Sequence, residues 1–257
     1  MPAVKPNHSA TLTHRSRRTI LRRLRAHPGR SGCTRSGHSS QTREACSVLR
    51  LVAHTTATIS RLVPLIAGFK RAHPKVALDV TLTERPVDLV ADGYDLGIVV
   101  PYMVTSETTL CALLERIPLV ICATPEYLQT LSIPRHPMEL ANHHFVLMSP
   151  SIRRLNIDFR NGERKSSVPR RFDISSNSPA FNLEMVLQGS GVGVVPEDLV
   201  DKELASGKLV RRLSEFQLID DSVEIRLAYS NRTLLPAKVR AFVEYAAAFF
   251  GALATSR

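Results

Sequence analysis

Apolar and polar positions follow two alternating patterns from Val48 onward, one typical of strands and one typical of one-sided helices. The first half of this region is predicted to contain strands at 48–53, 77–83 and 95–100, a helix starting near Ser60 and a short helix at 86–92 that Gly93 ends. Strands that alternate with helices pair in parallel through right-handed crossovers. We therefore predict a doubly wound α/β sheet for this half.

The second half repeats the pattern, with helices predicted to begin at two prolines that each follow a capping residue, in Thr124-Pro125 and Ser178-Pro179. Further helices are predicted at 196–205 and 236–250, and strands at 117–123, 145–148, 171–174, 192–195, 209–213 and 223–229. Two α/β units are thus expected, with the last strand and helix free to return to the first unit.

The N-terminal residues differ in composition from the rest of the chain. The chain has 257 residues, 34 Lys+Arg and 23 Asp+Glu, for a formal net charge of +11. Ten of the basic residues and only one acid fall within residues 1–48, which leaves 24 basic and 22 acidic residues in the rest. This segment contains no Phe, Tyr or Trp and little apolar periodicity. Residues 1–47 have two possible interpretations, a basic arm that contacts phosphates and a tail that is disordered or not native sequence. The missing apolar face favours the tail.

Several classes of protein are excluded at this stage. No apolar run reaches the length of a membrane span, and the arginines of residues 15–25 leave no apolar core for a secretory signal. An Arg- and Ser-rich leader also fits an organelle transit peptide, although no amphipathic stripe supports it. The four cysteines show no metal-binding spacing, which indicates free thiols. A soluble, cytoplasmic protein without a membrane association is expected.

No residue set suggests catalysis, a metal or a cofactor. The cluster Gly189-Ser190-Gly191-Val192-Gly193 follows a helix and precedes a strand, the reverse of a dinucleotide-binding loop, so we interpret it as a helix C-cap and tight turn. His143 and His144 are adjacent and point in different directions. Cys122 is more simply a buried structural thiol than a nucleophile. We predict no enzyme and no cofactor.

Small polar residues follow predicted strands at points where open α/β sheets bind ligands. Their hydroxyl groups and the free N–H groups of the next helix are suited to a small anion such as a carboxylate. Each of these residues also serves as an ordinary helix cap, and it is their occurrence in both units that favours a ligand site. The candidates are Thr55, Thr56 and Thr58 in the first unit and Thr124, Asn177 and Ser178 in the second.

Four ordered segments resemble LysR-type transcriptional regulators. They are the stretch from Phe69 to Leu78 (F-x-x-x-x-P-x-V-x-L), the run from Val87 to Ile98 with its D-L-V and G-Y-D elements, the Cys122 to Leu128 segment, and the span from Gly191 to Val210. The resemblance covers about residues 48–250 and is specific for the effector-binding domain of that family.

The resemblance implies the two-lobed type 2 periplasmic-binding-protein-like fold, each lobe a doubly wound sheet flanked by helices. Lobe I would comprise about 48–115 plus 220–250 and lobe II about 116–219, joined by crossovers near 114–118 and 213–222. A small effector would bind in the interlobe cleft, with Val100 and Pro101 on its wall. Family members often carry Arg where this chain has Val99-Val100-Pro101, which leaves the charge of the effector open.

The family also carries an N-terminal winged helix-turn-helix that residues 1–48 are too short to supply. Our first hypothesis is therefore a LysR-type transcriptional regulator that senses a small metabolite, with a DNA-binding domain lost, truncated or scrambled. Its expected partners are the effector, promoter DNA if a DNA-binding domain is present, and further copies of the chain in a homodimer or homotetramer. The alternatives are a free-standing intracellular small-molecule-binding protein and, less favoured, an enzyme on the same fold.

Overall fold

The computed structural model describes residues 48–55, 59–106, 109–149, 156–169, 171–219, 222–230 and 235–255. The predictions for residues 1–47 lie outside these ranges. The described chain forms two compact units. Unit 1 contains the residues up to Glu115 and from Ile225 onward, and unit 2 is Arg116–Glu224.

The elements follow one another along the chain in the α/β order that the sequence predicts. The strands are β1 (Val48–His54), β2 (Ala77–Thr83), β3 (Leu96–Val99), β4 (Thr109–Ala123), β5 (His144–Met148), β6 (Asn156–Asn161), β7 (Arg164–Pro169), β8 (Arg171–Ser176), β9 (Val192–Pro196), β10 (Val210–Arg212), β11 (Gln217–Leu218) and β12 (Ser222–Ser230). The α-helices are α1 (Ile59–Ala72), α2 (Pro125–Thr130), α3 (Pro179–Leu187), α4 (Asp201–Ala205) and α5 (Ala237–Thr255). The chain passes into unit 2 within β4, between Glu115 and Arg116, and returns to unit 1 within β12, between Glu224 and Ile225.

Unit 1 is built on a sheet in the order β2-β1-β3-β12. Strand β1 pairs in parallel with β2 on one side and with β3 on the other, while β12 is antiparallel to β3. Helices α1 and α5 meet through Phe69 and Phe242, whose ring centroids lie 4.9 Å apart. Both rings are fully buried, so this contact joins the two helices in the hydrophobic core of the unit.

The helix predicted at 86–92 is wrong, because this segment forms turns. Asp88 Oδ1 accepts hydrogen bonds from the backbone N–H groups of Val90 and Ala91, and Asp92 Oδ2 accepts one from the N–H of Asp88. Short acidic side chains compete in this way with helical hydrogen bonds. The neighbouring Val87 instead forms a parallel bridge with Val104.

Unit 2 has a sheet in the order β4-β9-β5-β8, with β10 pairing with β4. Strands β8 and β9 run parallel to β5, whereas β4 runs antiparallel to β9. A second sheet, β11-β6-β7, contains a hairpin that the sequence analysis described only as a polar turn at Asn161-Gly162. The predicted helix at 196–205 is also interrupted, with a short 3-10 segment Glu197–Leu199 before α4.

The glycine cluster after α3 is confirmed as a helix C-cap and tight turn. Gly189 has a φ of +74°, and the N–H of Ser190 donates to the carbonyl of Met185 at 3.1 Å, which closes the helix end. Gly191 has a φ of +150°, and a Cβ there would lie 2.6 Å from the backbone oxygen of His144. Glycine is therefore required at 191 by the close approach of β5.

Candidate functional site

The first group of predicted site residues lies at the carboxyl edge of the unit 1 sheet. Strands β1 and β3 are adjacent and parallel, and β2 lies on the other side of β1, so the edge between β1 and β3 is a topological switch point. Thr55 is half-buried directly after β1, Val100 is buried after β3, and Pro101 is exposed at the start of a 3-10 turn. The structure brings these three residues to the same edge, whereas Thr56 and Thr58 lie outside the described residues.

A partly buried hydrogen bond joins the two strand ends at this edge. Nε2 of His54, the last residue of β1, lies 2.8 Å from the phenol oxygen of Tyr102. Burial lowers the pKa of His54 to about 4, so the imidazole is neutral at pH 7. Burial, with a smaller contribution from the charge of Glu84, raises the pKa of Tyr102 to about 12. Sequence reasoning missed Tyr102, because no local pattern links a residue after β3 to the end of β1.

The second group lies at the carboxyl end of β8 in unit 2. Ser178 is the N-cap of α3, and its hydroxyl oxygen accepts a hydrogen bond from the N–H of Phe181 at 3.4 Å. Asn177 is exposed beside it. The N–H of Ser178 donates to the Ser176 hydroxyl oxygen at 3.0 Å, which fixes the turn before the helix. Asn177 and Ser178 therefore lie together at one edge, as the sequence predicts for neighbours in a loop.

Asn182 positions this loop and was not identified from the sequence. Its side chain is only 2% exposed, and its Nδ2 donates to the carbonyl of Leu147 in β5 at 3.0 Å. Its Oδ1 accepts from the Ser176 hydroxyl at 3.0 Å. The available signal was a polar residue between two apolar ones, Phe181 and Leu183, at the start of a helix. Asn182 thus ties the ends of β5 and β8 to α3.

Thr124 is not at the same edge of unit 2 as Asn177 and Ser178. It follows the carboxyl end of β4, and β4 runs opposite to β9, β5 and β8. Its position is therefore next to the amino ends of those strands, whereas Ser178 follows a carboxyl end. Thr124 is 5% exposed, and its hydroxyl oxygen accepts the N–H of Tyr127 at 3.2 Å. Its observed role is to cap α2.

The remaining candidate side chains form no metal-binding set within the described ranges. No group of three or more His, Cys, Asp or Glu side chains there is arranged to hold a metal ion. Nδ1 of His144 lies 2.7 Å from Oδ2 of Asp173 in an exposed contact, while the adjacent His143 is buried. Burial raises the pKa of Cys122 to about 12, as expected for a structural thiol. None of the described helices combines the length and apolar composition that a membrane span requires.

Two mixed α/β units, each with small polar residues at the carboxyl ends of parallel strands, are the architecture of periplasmic-binding-protein-like domains. Residues 42–251 match the family model described as the LysR substrate binding domain, so the chain belongs to that family.

The relatives that the chain resembles carry transcription-regulator names. It is 29% identical over 201 residues to an uncharacterized HTH-type transcriptional regulator, YcaN, of Escherichia coli K12, covering 77% of this chain and 64% of the relative. It is 32% identical over 191 residues to the HTH-type transcriptional activator TtdR of Escherichia coli UTI89, covering 74% and 60%. The chain thus spans about three fifths of the length of the curated relatives that it matches.

Solved structures show the same fold. The full-length Vibrio cholerae virulence activator AphB, a member of the LTTR family, superposes with a TM-score of 0.66 at 19% identity, covering 79% of this chain and 68% of that one. The regulatory domain of CrgA, a LysR-type regulator from Neisseria meningitidis, gives 0.63 at 22% identity, covering 79% and 98%. At these identities the likeness establishes the fold alone.

Proposed function

We propose that this chain is the effector-sensing part of a LysR-type transcriptional regulator and that its effector is a small metabolite bearing a carboxylate. Support comes from the family match over 42–251 and from the regulator names of the relatives. The proposal includes promoter DNA as a partner through a DNA-binding domain joined to this one, and a homodimer or homotetramer as the working assembly. It assigns a sensing role and no catalytic role.

One observation supports a binding role for both edges. In each unit a hydrogen bond lies beneath a short loop at the carboxyl end of a strand. It is a partly buried bond between His54 and Tyr102 in unit 1 and a buried bond from Asn182 to the carbonyl of Leu147 in unit 2. The loop residues themselves, including Thr55, Asn177 and Ser178, remain at least partly accessible. A rigid frame under accessible hydroxyl, amide and N–H groups is typical of a preorganised ligand site. The proposed contacts are Thr55, Thr56, Thr58, Val100, Pro101, Asn177 and Ser178.

Thermal-shift screening of the purified chain against a panel of small carboxylates tests this proposal. A ligand that binds only the folded state and is present at about 100 times its Kd stabilises the protein by about 2.7 kcal/mol. We expect Thr56→Ala and Asn177→Ala to reduce this stabilisation. Asn161→Ala, in the exposed turn of the β6–β7 hairpin, is the matched control and should leave it unchanged. Equal stabilisation of all four proteins would remove Thr56 and Asn177 from the site.

Binding to promoter DNA is tested separately by gel shift at two salt concentrations. A regulator that reads its promoter retains selective binding at physiological salt, with or without a change on adding effector. Binding that is equally strong on unrelated DNA and disappears as salt rises is what basic residues alone produce. That second result would contradict the DNA-binding part of the proposal. The ligand-sensing part is tested independently by the thermal-shift screen.

A further inference from the structure

Unit 2 contains a cavity that belongs to neither of the edges described above. Its volume is about 180 Å³, smaller than the roughly 300–1,000 Å³ of sites for drug-sized ligands, so it suits only a compact molecule. One wall is the start of β4 in unit 2, and the opposite wall is the chain from the end of β10 to β11. The lining residues that the argument uses are Leu119, Ile121, Arg212, Leu213, Phe216 and Leu218.

The backbone creates this cavity by turning away from β4. Strand β10 pairs with β4 only as far as Arg212, which lies opposite Ile121. Leu213 then adopts a φ of +55°, and among the described residues no other non-glycine has a positive φ. A left-handed leucine is energetically costly and persists only where the surrounding structure requires it, often at ligand sites. The turn carries Phe216 and Leu218 away from the strand and leaves the space between.

The chemistry of the cavity depends on the contrast between two adjacent arginines. Nη1 of Arg211 lies 2.7 Å from Oε1 of Glu197, so this guanidinium has a carboxylate partner. The Nε–H of Arg212 is buried and has no hydrogen-bond partner. An arginine stays charged at any physiological pH, and a buried donor on it that lacks an acceptor is unfavourable. Such orphaned groups in native proteins are expected to have a functional explanation.

We propose that this cavity is a second ligand site, distinct from the effector-contact residues above, that takes a small carboxylate with a branched apolar body. The carboxylate would accept hydrogen bonds from the Arg212 guanidinium, whose planar shape matches it. The apolar body would lie against Leu119, Leu213 and Phe216. Inorganic phosphate is expected to bind more weakly, because it has no apolar body to pack against Leu119, Leu213 and Phe216.

The position of the cavity gives the ligand a regulatory role. Its walls come within two residues of Arg116, where β4 enters unit 2, and within six residues of Glu224, where β12 leaves it. Next to those points, Nη2 of Arg116 lies 2.7 Å from Oε1 of Glu224. A ligand that contacts both walls stiffens the two segments leading into the connections between the units. It is therefore placed to modulate the response to an effector bound elsewhere.

The test uses 3-methylbutanoate as the probe, with 3-methylbutanamide as a neutral molecule of the same shape and inorganic phosphate as an anion without an apolar body. Binding is followed by the leucine methyl NMR signals of Leu119, Leu213 and Leu218, with Leu49 in the core of unit 1 as the remote reference. We expect 3-methylbutanoate to shift the three cavity signals and not that of Leu49, and the amide and phosphate to do so at least about tenfold more weakly.

Two variants connect the binding to Arg212. Arg212→Met keeps the apolar stem of the side chain and should weaken the binding of 3-methylbutanoate by about 10- to 100-fold. The control is Arg171→Met, at an exposed position on β8, which should bind 3-methylbutanoate as the wild type does. Arg212→Met should also leave the melting temperature of the ligand-free protein unchanged or higher, because it removes an orphaned buried donor. Ser214→Phe, which fills the cavity from an exposed position, should abolish the shifts in a folded protein.

Four results would overturn the proposal. The first is an absence of shifts at Leu213 and Leu218 in the wild type at probe concentrations limited only by solubility. The second is equal binding by Arg212→Met and wild type, and the third is equal binding of the amide and the carboxylate. A lower melting temperature for ligand-free Arg212→Met would likewise show that the protein itself already satisfies this guanidinium.

Discussion

The side-chain amide of Asn182 donates a hydrogen bond of 3.0 Å to the backbone carbonyl of Leu147, which lies 35 residues earlier in the chain. The bond is fully buried and joins the first turn of α3 to the central strand β5. The same amide group holds the Ser176 hydroxyl, which in turn fixes the turn containing Asn177 and Ser178. The geometry of an exposed loop in the proposed site thus depends on a residue that cannot contact a ligand itself.

Replacing Asn182 by alanine should lower the free energy of unfolding by about 1–3 kcal/mol, because buried groups on Leu147 and Ser176 lose their partner. Urea denaturation followed by circular dichroism measures the change. Asn177→Ala, five residues earlier and exposed, is the matched control and should change stability by no more than about 0.5 kcal/mol. Equal effects of the two substitutions would contradict the anchoring role of Asn182.

Gly191→Ala should be among the most destabilising glycine substitutions in unit 2. A Cβ at this position would lie 2.6 Å from the backbone oxygen of His144, which cannot move without displacing β5. We expect a loss of about 2–4 kcal/mol in unfolding free energy, measured by urea titration. Gly207→Ala is the control, because Gly207 also has a positive φ, of +76°, but a Cβ there would meet no atom within 4 Å. This substitution should therefore show only the cost of placing alanine in a left-handed conformation, about 1–2 kcal/mol. A larger loss at 207 than at 191 would argue against the close approach.

Stability should fall as the pH drops from about 6.5 towards 4 because of His54. Burial lowers the pKa of this imidazole to about 4 in the folded state, so over this window the unfolded chain binds the proton more readily. The contribution approaches about 3 kcal/mol at pH 4, and the lowered pKa of His143 adds to it in the same direction. Thermal denaturation across this range measures the effect.

Two variants separate the contribution of His54 from that of other groups. His54→Gln should remove the contribution of this imidazole to the pH dependence. The difference in unfolding free energy between this variant and the wild type should therefore change steadily as the pH falls from about 6.5 to 4. Tyr102→Phe removes the hydrogen bond and retains the burial that lowers the pKa, and its pH dependence should persist. An unchanged pH profile for His54→Gln would show that burial of this imidazole does not control acid stability.

Alkylation should distinguish the two cysteines that the structure describes. Cys111 is exposed on β4, while Cys122 is fully buried with its pKa raised to about 12. Because the thiolate is the reactive form, iodoacetamide at pH 8 should modify Cys111 first and leave Cys122 protected in the folded protein. Mass spectrometry of the digested protein reads both sites, and unfolding in denaturant should make both reactive. Early modification of Cys122 in the native state would contradict its buried position.

Local sequence patterns determined much of this fold. Two-residue alternation and one-sided helical spacing placed most strands and the long helices, and proline after a capping residue located the starts of α2 and α3. These features depend only on neighbours along the chain. The strands of the β6–β7 hairpin were not predicted, because many of their residues are polar. The helix expected at 86–92 does not form, because the side chains of Asp88 and Asp92 accept hydrogen bonds from nearby backbone N–H groups and stabilise turns.

The tertiary structure alone decided which of the polar strand ends meet. The residues of a strand do not encode its direction in the sheet, so the hydroxyls of Thr124 and Ser178 gave the same sequence signal. The antiparallel path of β4 then separated them, while the parallel β1 and β3 brought Thr55 and Val100 to one edge. The contacts of Asn182, the His54–Tyr102 pair and the cavity beside Arg212 also required the fold, because they join residues far apart in the chain or depend on a single backbone turn at Leu213.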